Sequence, residues 1–332
     1  MIKPLCLDHS SLKHPLPPKL IEELQPELQK INEYPSGGSY DDLCKKTAEY
    51  FAVSTENILP TNGSDEAIEA TTRAFGNKLI LIPAPTFSQY EVSASRNNMH
   101  FKLSPCLSDD NYQLKFINDN LEDASLVWIC NPNNPTGNSI PREKIIETIE
   151  KTSGIVTVDE CNYEYLKETV IDLVKKYPNL VVIRSFSKNF GLAGLRIGFV
   201  ISSSKNIKNI KRYCQYFRVN KIAEKAAIKV LHYLDEYQEI WNDIAVTRDT
   251  FVDNLQHLKI KAFPSKTNFV LIDLHTKKET RRIWEYLRSK KVYVLASWED
   301  EFSGLGDHYI RFAIGSSQEM NYVFTLLKNF KK

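Results

Sequence analysis

The sequence predicts an α/β fold, a mainly parallel sheet with helices on both faces, followed by a smaller α+β domain. Three patterns carry the prediction. From about residue 58 to 202, short β-rich runs alternate with segments of helical period, as βαβ units require. Over 219–258 the period is helical throughout, with Ile222, Ala226, Val230, Leu231 and Leu234 on one face. Beyond it, β-rich runs return around one further helix.

In chain order, residues 1–35 carry Pro15, Pro17, Pro18, Pro26 and Pro35 around one amphipathic stretch, 19–31. That segment reads as an arm, not part of a core. Strands are expected at 79–82, 126–130, 155–159, 180–186 and 196–201. Residues 219–258 read as one long linking helix. The tail alternates at 268–274, 292–295 and 309–314 around a helix near 279–290. The large α/β domain is thus expected at 36–224, with 1–35 and 225–332 forming the N-terminal arm and the small α+β domain.

With 332 residues, 42% of them hydrophobic and 25% charged, the chain has the balance of a globular enzyme. Lys plus Arg number 43 against 41 for Asp plus Glu, a net charge of +2. No broad basic footprint for nucleic acid is available, so anionic ligands must be bound locally. Apolar runs stay strand-sized, far below the ~20 residues that span a bilayer, and no membrane association is expected. The first residues lack the apolar core of a secretion signal, which leads us to expect a cytoplasmic protein. Six cysteines without a C-x-x-C pair and seven isolated histidines argue against a disulfide framework and against a metal site.

In an open α/β sheet, ligands bind beyond the carboxyl ends of the strands. The unusual polar residues fall there: Asn131-Pro132-Asn133-Asn134-Pro135-Thr136-Gly137, Asp159-Glu160 and Ser185-Phe186-Ser187-Lys188. An amide, a carboxylate and an amine on adjacent strand ends suit an aromatic heterocycle with acid and base character. Thr61-Asn62-Gly63-Ser64-Asp65-Glu66 precedes an apolar-periodic run, so the amides of Ser64 and Asp65 would open a helix and offer an anion site. The same segment also reads as an ordinary turn and N-cap. Neither a Walker loop nor a dinucleotide fingerprint is present, since Gly191, Gly194 and Gly198 have the wrong spacing.

The segment from Ser185 to Gly198, Ser-Phe-Ser-Lys-Asn-Phe-Gly-Leu-Ala-Gly-Leu-Arg-Ile-Gly, resembles the Schiff-base segment of class I/II aminotransferases, the fold-type-I enzymes that use pyridoxal phosphate. Asn131 to Gly137 is similar to the family's N-P-N-N-P-T-G, Asp159-Glu160 to its acidic pair, and Gly63 to Glu66 to its phosphate helix. Pro85 to Tyr90 and Tyr309 to Phe312 match the ring-stacking and carboxylate-binding segments. Within the family the look is closest to histidinol-phosphate aminotransferases and threonine-phosphate decarboxylases. The resemblance implies a seven-stranded sheet and a homodimer.

It also implies roles. Lys188 would join the cofactor aldehyde and then serve as base at the substrate's α-carbon. Asp159 would face the pyridine nitrogen and keep it protonated. Asn134 would donate to the phenolic oxygen, and Phe87 would stack on the ring, unless it is a plain core aromatic. Ser64, Asp65, Ser185, Ser187 and Arg196 would surround the phosphate. Tyr34 would reach the partner subunit's phosphate, and Arg311 would hold a substrate carboxylate.

Two positions depart from the family pattern. Asn162 stands where an aromatic, commonly a tyrosine, bonds the phenolic oxygen. Ser297-Trp298 stands where close relatives carry a second arginine, and Arg218 either restores that charge from another direction or is a surface residue. The leading expectation is an aminotransferase for a small phosphorylated amine or ketone, with an amino acid such as glutamate as donor. The alternatives are a decarboxylase of serine or threonine phosphate and, from another class, a binding protein that keeps the fold without turnover.

Overall fold

The computed structural model describes residues 4–35, 38–108, 111–115, 119–299 and 302–330. Its largest feature is a seven-stranded sheet of β2 (Ile58–Asn62), β11 (Ile197–Ser202), β10 (Leu180–Ser185), β9 (Ile155–Asp159), β8 (Ala124–Cys130), β3 (Leu79–Ala84) and β5 (Phe101–Pro105), in that spatial order. Only β11 runs against the others. Strict alternation along each strand sends side chains to two faces. On β8, Val127 and Ile129 pack with α2 (Asp41–Phe51), α5 (Arg142–Lys151) and α8 (Lys221–Val230). Leu126, Trp128 and Cys130 pack on the other face with α3 (Gly63–Phe75), α4 (Gln89–Arg96) and α7 (Ser204–Lys211).

A second sheet of five strands follows the order β1 (Leu5–Leu7), β14 (Val292–Ala296), β16 (Tyr309–Ala313), β13 (Phe269–Asp273) and β12 (Lys261–Ala262). Its core is shared with α9 (Leu234–His257), α10 (Lys277–Ser289) and α11 (Ser317–Phe330). Two short pairs complete the strands: β6 (Leu107–Ser108) with β7 (Asn111–Tyr112), and β15 (Phe302–Ser303) with β4 (Thr86–Phe87). The second of these ties the two sheets together beside the site.

Two sequence expectations are corrected. The N-terminal arm contributes to both cores: Leu7 lies in β1, paired in parallel with Val294, and Leu20 of α1 (Pro18–Leu28) is fully buried. A three-residue strand is too short for its period to show. The expected single helix over 219–258 is broken at Leu231 to Tyr233, between α8 and α9. The apolar period continues across the break without Gly or Pro, but the direction changes. As a result α8 stays on the large sheet, while α9 carries Trp241 into one core and Phe251 into the other.

Candidate active site

The carboxyl ends of β2, β10, β9, β8 and β3 open on one edge of the large sheet, and antiparallel β11 begins there directly after Arg196. Helix α3 leaves β2 at once, and its N-cap residue Asn62 makes no side-chain capping bond. Its opening amides are therefore a ready anion cradle. Gly63 has φ +73°, and a β-carbon there would lie 2.5 Å from Arg196 Nη2. Gly198, in register with Thr61 and Ser185, could bear no β-carbon either, since it would stand 2.6 Å from Gly63 C and 2.8 Å from Ser64 N. These contacts bring Ser64, Ser185 and Arg196 to one place. Ser185 Oγ accepts from the Ser187 amide at 3.2 Å. Asp65, expected to act through its amide, also uses its side chain, whose Oδ2 accepts from Arg196 Nη2 at 2.6 Å.

Asp159 ends β9 and is buried. Its Oδ2 accepts from Tyr90 Oη at 2.7 Å and its Oδ1 from the Cys161 amide at 3.0 Å. Burial and then the Asp159 charge push the Tyr90 phenol well above its ordinary range, so Tyr90 stays protonated and donates. Tyr90 is itself held flat against Trp128, with ring centroids 4.6 Å apart. Lys188 directs its amine to 5.9 Å from the Phe87 ring centroid. The Cys130 thiol is pushed up to about 12, first by burial and then by Asp159, with Lys188 opposing. Cys161 is raised by the same two causes, again with Lys188 opposing. The acid and the amine therefore act on common neighbours.

The Asn131 to Gly137 turn is fixed by Asn133, whose Oδ1 accepts from Thr86 Oγ1 at 3.1 Å and whose Nδ2 donates to Pro85 O at 2.9 Å. This holds buried Asn134 so that its Oδ1 accepts from Arg311 Nη1 at 2.7 Å. Arg311 Nη2 donates to Asp8 O at 2.9 Å, and its guanidinium carbon lies 5.1 Å from the ring centroid of Phe302. Asn162 is buried, and its Oδ1 has no hydrogen-bond partner.

Tyr34 is 77% exposed and stacks on Phe217 at 4.5 Å. Arg218 is corrected on one of its two readings. It is buried, not a surface residue, and it packs on β2: Nε donates to Pro60 O at 2.6 Å and the guanidinium lies 4.8 Å from the Tyr40 ring centroid. Where the second arginine was expected, Trp298 packs edge-on against Trp284 at 5.8 Å. Tyr90 and the Asp8 carbonyl had no counterpart in the sequence reading as site groups. Tyr90 could have been suspected only from lying one turn beyond Phe87.

Residues 5–327 match the family model for aminotransferase class I and II. The chain belongs to that family. It is 32% identical over 322 residues to a histidinol-phosphate aminotransferase of Methanocaldococcus jannaschii, covering 94% of this chain and 85% of that protein. Among solved structures, a histidinol-phosphate aminotransferase from Clostridium acetobutylicum superposes with a TM-score of 0.90 at 25% identity, covering 98% of this chain and 99% of that one. The L-threonine-O-3-phosphate decarboxylase of Porphyromonas gingivalis shares the fold, with a TM-score of 0.86 at 24% identity over 98% and 99% of the two chains. The protein is therefore an aminotransferase with pyridoxal phosphate as cofactor.

This aminotransferase has a site that fits the cofactor. The uncapped α3 amides and Arg196 suit its phosphate, and the buried Asp159 carboxylate suits its ring nitrogen. Among the described residues there is no cluster of three His, Cys, Asp or Glu placed to hold a metal, and no helix long and apolar enough to cross a membrane.

Proposed function

We propose that the enzyme transaminates a small phosphorylated amine or ketone, as histidinol-phosphate aminotransferases do, with an amino acid such as glutamate as amino donor. The observation that carries this reading is the convergence of Lys188, Asp159 and the buried Arg311–Asn134 pair on one sheet edge. When bound, the cofactor supplies an electron-withdrawing ring conjugated to the substrate's α-carbon. Lys188 takes the proton from that carbon and returns it. Asp159, held by Tyr90, keeps a proton on the ring nitrogen. Ser64, Asp65, Ser185, Ser187 and Arg196 anchor the phosphate, Asn134 and Asn162 serve the phenolic oxygen, and Phe87 covers the ring. Arg311 holds the donor carboxylate, where a planar guanidinium binds bidentately. Incubating the protein with pyridoxal phosphate, glutamate and a panel of phosphorylated ketones should yield 2-oxoglutarate. No 2-oxoglutarate from any member would overturn the reading.

A second reading, decarboxylation of serine or threonine phosphate, is supported by the fold shared with the L-threonine-O-3-phosphate decarboxylase of Porphyromonas gingivalis, while Trp298, where a second substrate arginine was expected, weakens a direct carry-over from either relative. Which substrate bond would break depends on how this chain holds the substrate, so the carboxylate anchor would decide the outcome. Carbon dioxide released from either phosphoamino acid without an acceptor identifies this activity. We further propose a homodimer, because the exposed Tyr34–Phe217 stack offers an aromatic anchor to a second copy. Sedimentation at a monomer mass would remove it. A cytoplasmic setting is proposed with it, supported by six free cysteines.

A further inference from the structure

Behind Lys188 lies a buried polar cluster that the reaction described above does not use. Arg184 of β10 donates to Glu160 Oε2 from Nε at 2.9 Å, and its Nη1 stands 3.8 Å from Glu164 Oε1 on α6 (Tyr163–Leu166). Two buried carboxylates thus share one guanidinium. The Glu160 carboxylate is otherwise satisfied by Thr169 Oγ1 at 2.6 Å and the Val170 amide at 2.8 Å. Glu164 instead faces the catalytic turn. Its Oε1 accepts from Tyr50 Oη of α2 at 3.2 Å, and its Oε2 accepts from the Nδ2 of Asn189, the residue after Lys188.

Asn189 is a cross-brace. The same Nδ2 donates to Cys161 O at 2.9 Å, and the Cys161 amide donates to Asp159 Oδ1 at 3.0 Å. Two hydrogen bonds therefore join the residue beside Lys188 to the carboxylate of Asp159. The main chain of this turn is already pinned from other elements: Tyr165 Oη donates to Lys188 O at 3.2 Å, Trp241 Nε1 to Asn189 O at 2.8 Å and Tyr237 Oη to Phe190 O at 2.9 Å. Asn189 Oδ1 is buried without a partner, so the orientation of the amide rests on its Nδ2 bonds alone.

We propose that Glu164 is a positioning residue for the reaction: through Asn189 it fixes the turn carrying Lys188 against the turn carrying Asp159. The inference rests on the proposed roles of those two residues. A carboxylate is required because its Oε2 accepts from Asn189 Nδ2 while its Oε1 faces Arg184 Nη1, a donor that cannot accept, at 3.8 Å. A glutamine offers one acceptor oxygen and would present its own NH2 to one of the two donors. Protonation has a similar effect, since it turns one acceptor into a donor. The groups facing Glu164 are Arg184 from β10, Glu160 after β9, Tyr50 from α2 and Asn189. Burial, opposed by Arg184, raises its pKa to about 7, so the brace would change state near that pH.

The test uses the dimer-forming full chain loaded with pyridoxal phosphate and reads the pH titration of the visible band of the lysine-bound cofactor, alongside kcat and KM. Glu164→Gln and Asn189→Ala should each move the band's midpoint by about half a pH unit or more. Each should lower kcat by about tenfold with KM nearly unchanged, as expected when reacting groups are misplaced rather than removed. Tyr50→Phe, which leaves the Asn189 bond in place, should keep the wild-type midpoint. If Glu164→Gln does not fold, Asn189→Ala decides alone. Unmoved midpoints and kcat in the folded variants, with only a lower Tm, would reduce Glu164 to a structural brace and overturn the proposal. A wild-type protein that forms no band would instead remove the assignment of Lys188 itself.

Discussion

Replacing Gly198 by alanine tests whether the phosphate end of the site depends on one close backbone approach. The added methyl would lie 2.6 Å from Gly63 C and 2.8 Å from both Gly63 O and Ser64 N, all main-chain atoms that cannot rotate away. Ordinary contact needs at least about 3.4 Å, so the start of α3 must retreat from β11 by several tenths of an ångström. Overpacking of this kind costs about 1–3 kcal/mol. With an unfolding entropy of ~2.1 cal/mol/K per residue over 332 residues, that is a Tm lower by ~1.5–4 °C. The retreat also misaims the Ser64 and Asp65 amides. Losing one charge-assisted hydrogen bond, ~1.5 kcal/mol, weakens cofactor binding by about tenfold. Gly194 is the internal control, because a β-carbon there meets nothing within 4 Å. Thermal unfolding of the apoprotein and an absorbance titration with pyridoxal phosphate, run on Gly198→Ala and Gly194→Ala, decide the matter. Wild-type Tm and Kd in Gly198→Ala, or equal losses in both variants, would refute the reasoning.

Tyr90→Phe removes the donor to Asp159 Oδ2 while keeping the ring stacked on Trp128, and should lower kcat by about tenfold with a small change in Tm. Steady-state kinetics and calorimetry check this. Arg218→Ala breaks the bond to Pro60 O and the contact with Tyr40, so Tm should fall by a few degrees while KM for phosphorylated and unphosphorylated substrates changes equally. A selective rise for the phosphorylated substrate would place Arg218 at the substrate after all. Glu164 binds its proton more tightly folded than unfolded, so the native state holds more protons between pH about 4.5 and 7 and stability falls as pH rises through that window. The full effect is on the order of 3 kcal/mol, and denaturant titrations at pH 5 and pH 8 should show it diminished in Glu164→Gln.

What was readable in the sequence was local chemistry at strand ends. Asp159, Lys188 and the Asn131 to Gly137 turn each sit in one contiguous segment whose residue types already state their chemistry. Five of the seven strands of the large sheet were legible because buried strands form near-continuous apolar runs, while β2, interrupted by Pro60, and the partly exposed β5 were not. The partners of those groups were not. Tyr90 reaches Asp159 across 69 positions, and Arg311 reaches Asn134 across 177, distances over which no local period or spacing carries a signal. The burial of Arg218 was missed for the same reason, since its environment is set by Tyr40 and Pro60, far back in the chain. The bend between α8 and α9 was hidden because Leu231 and Leu234 keep the apolar rhythm while the axis turns.

The two-residue pairing of Phe302 with Phe87 has a consequence for how such a site can change over generations. Phe302 touches the Arg311 guanidinium with its ring and the Phe87 strand with its backbone, while Phe87 stands over the Lys188 amine. Drift at this one position would be felt at both ends at once, where Arg311 is proposed to grip the amino acid and where Phe87 is proposed to cover the vitamin. A lineage that acquires a new donor through the neighbourhood of Phe302 must therefore retune its hold on the coenzyme in the same step.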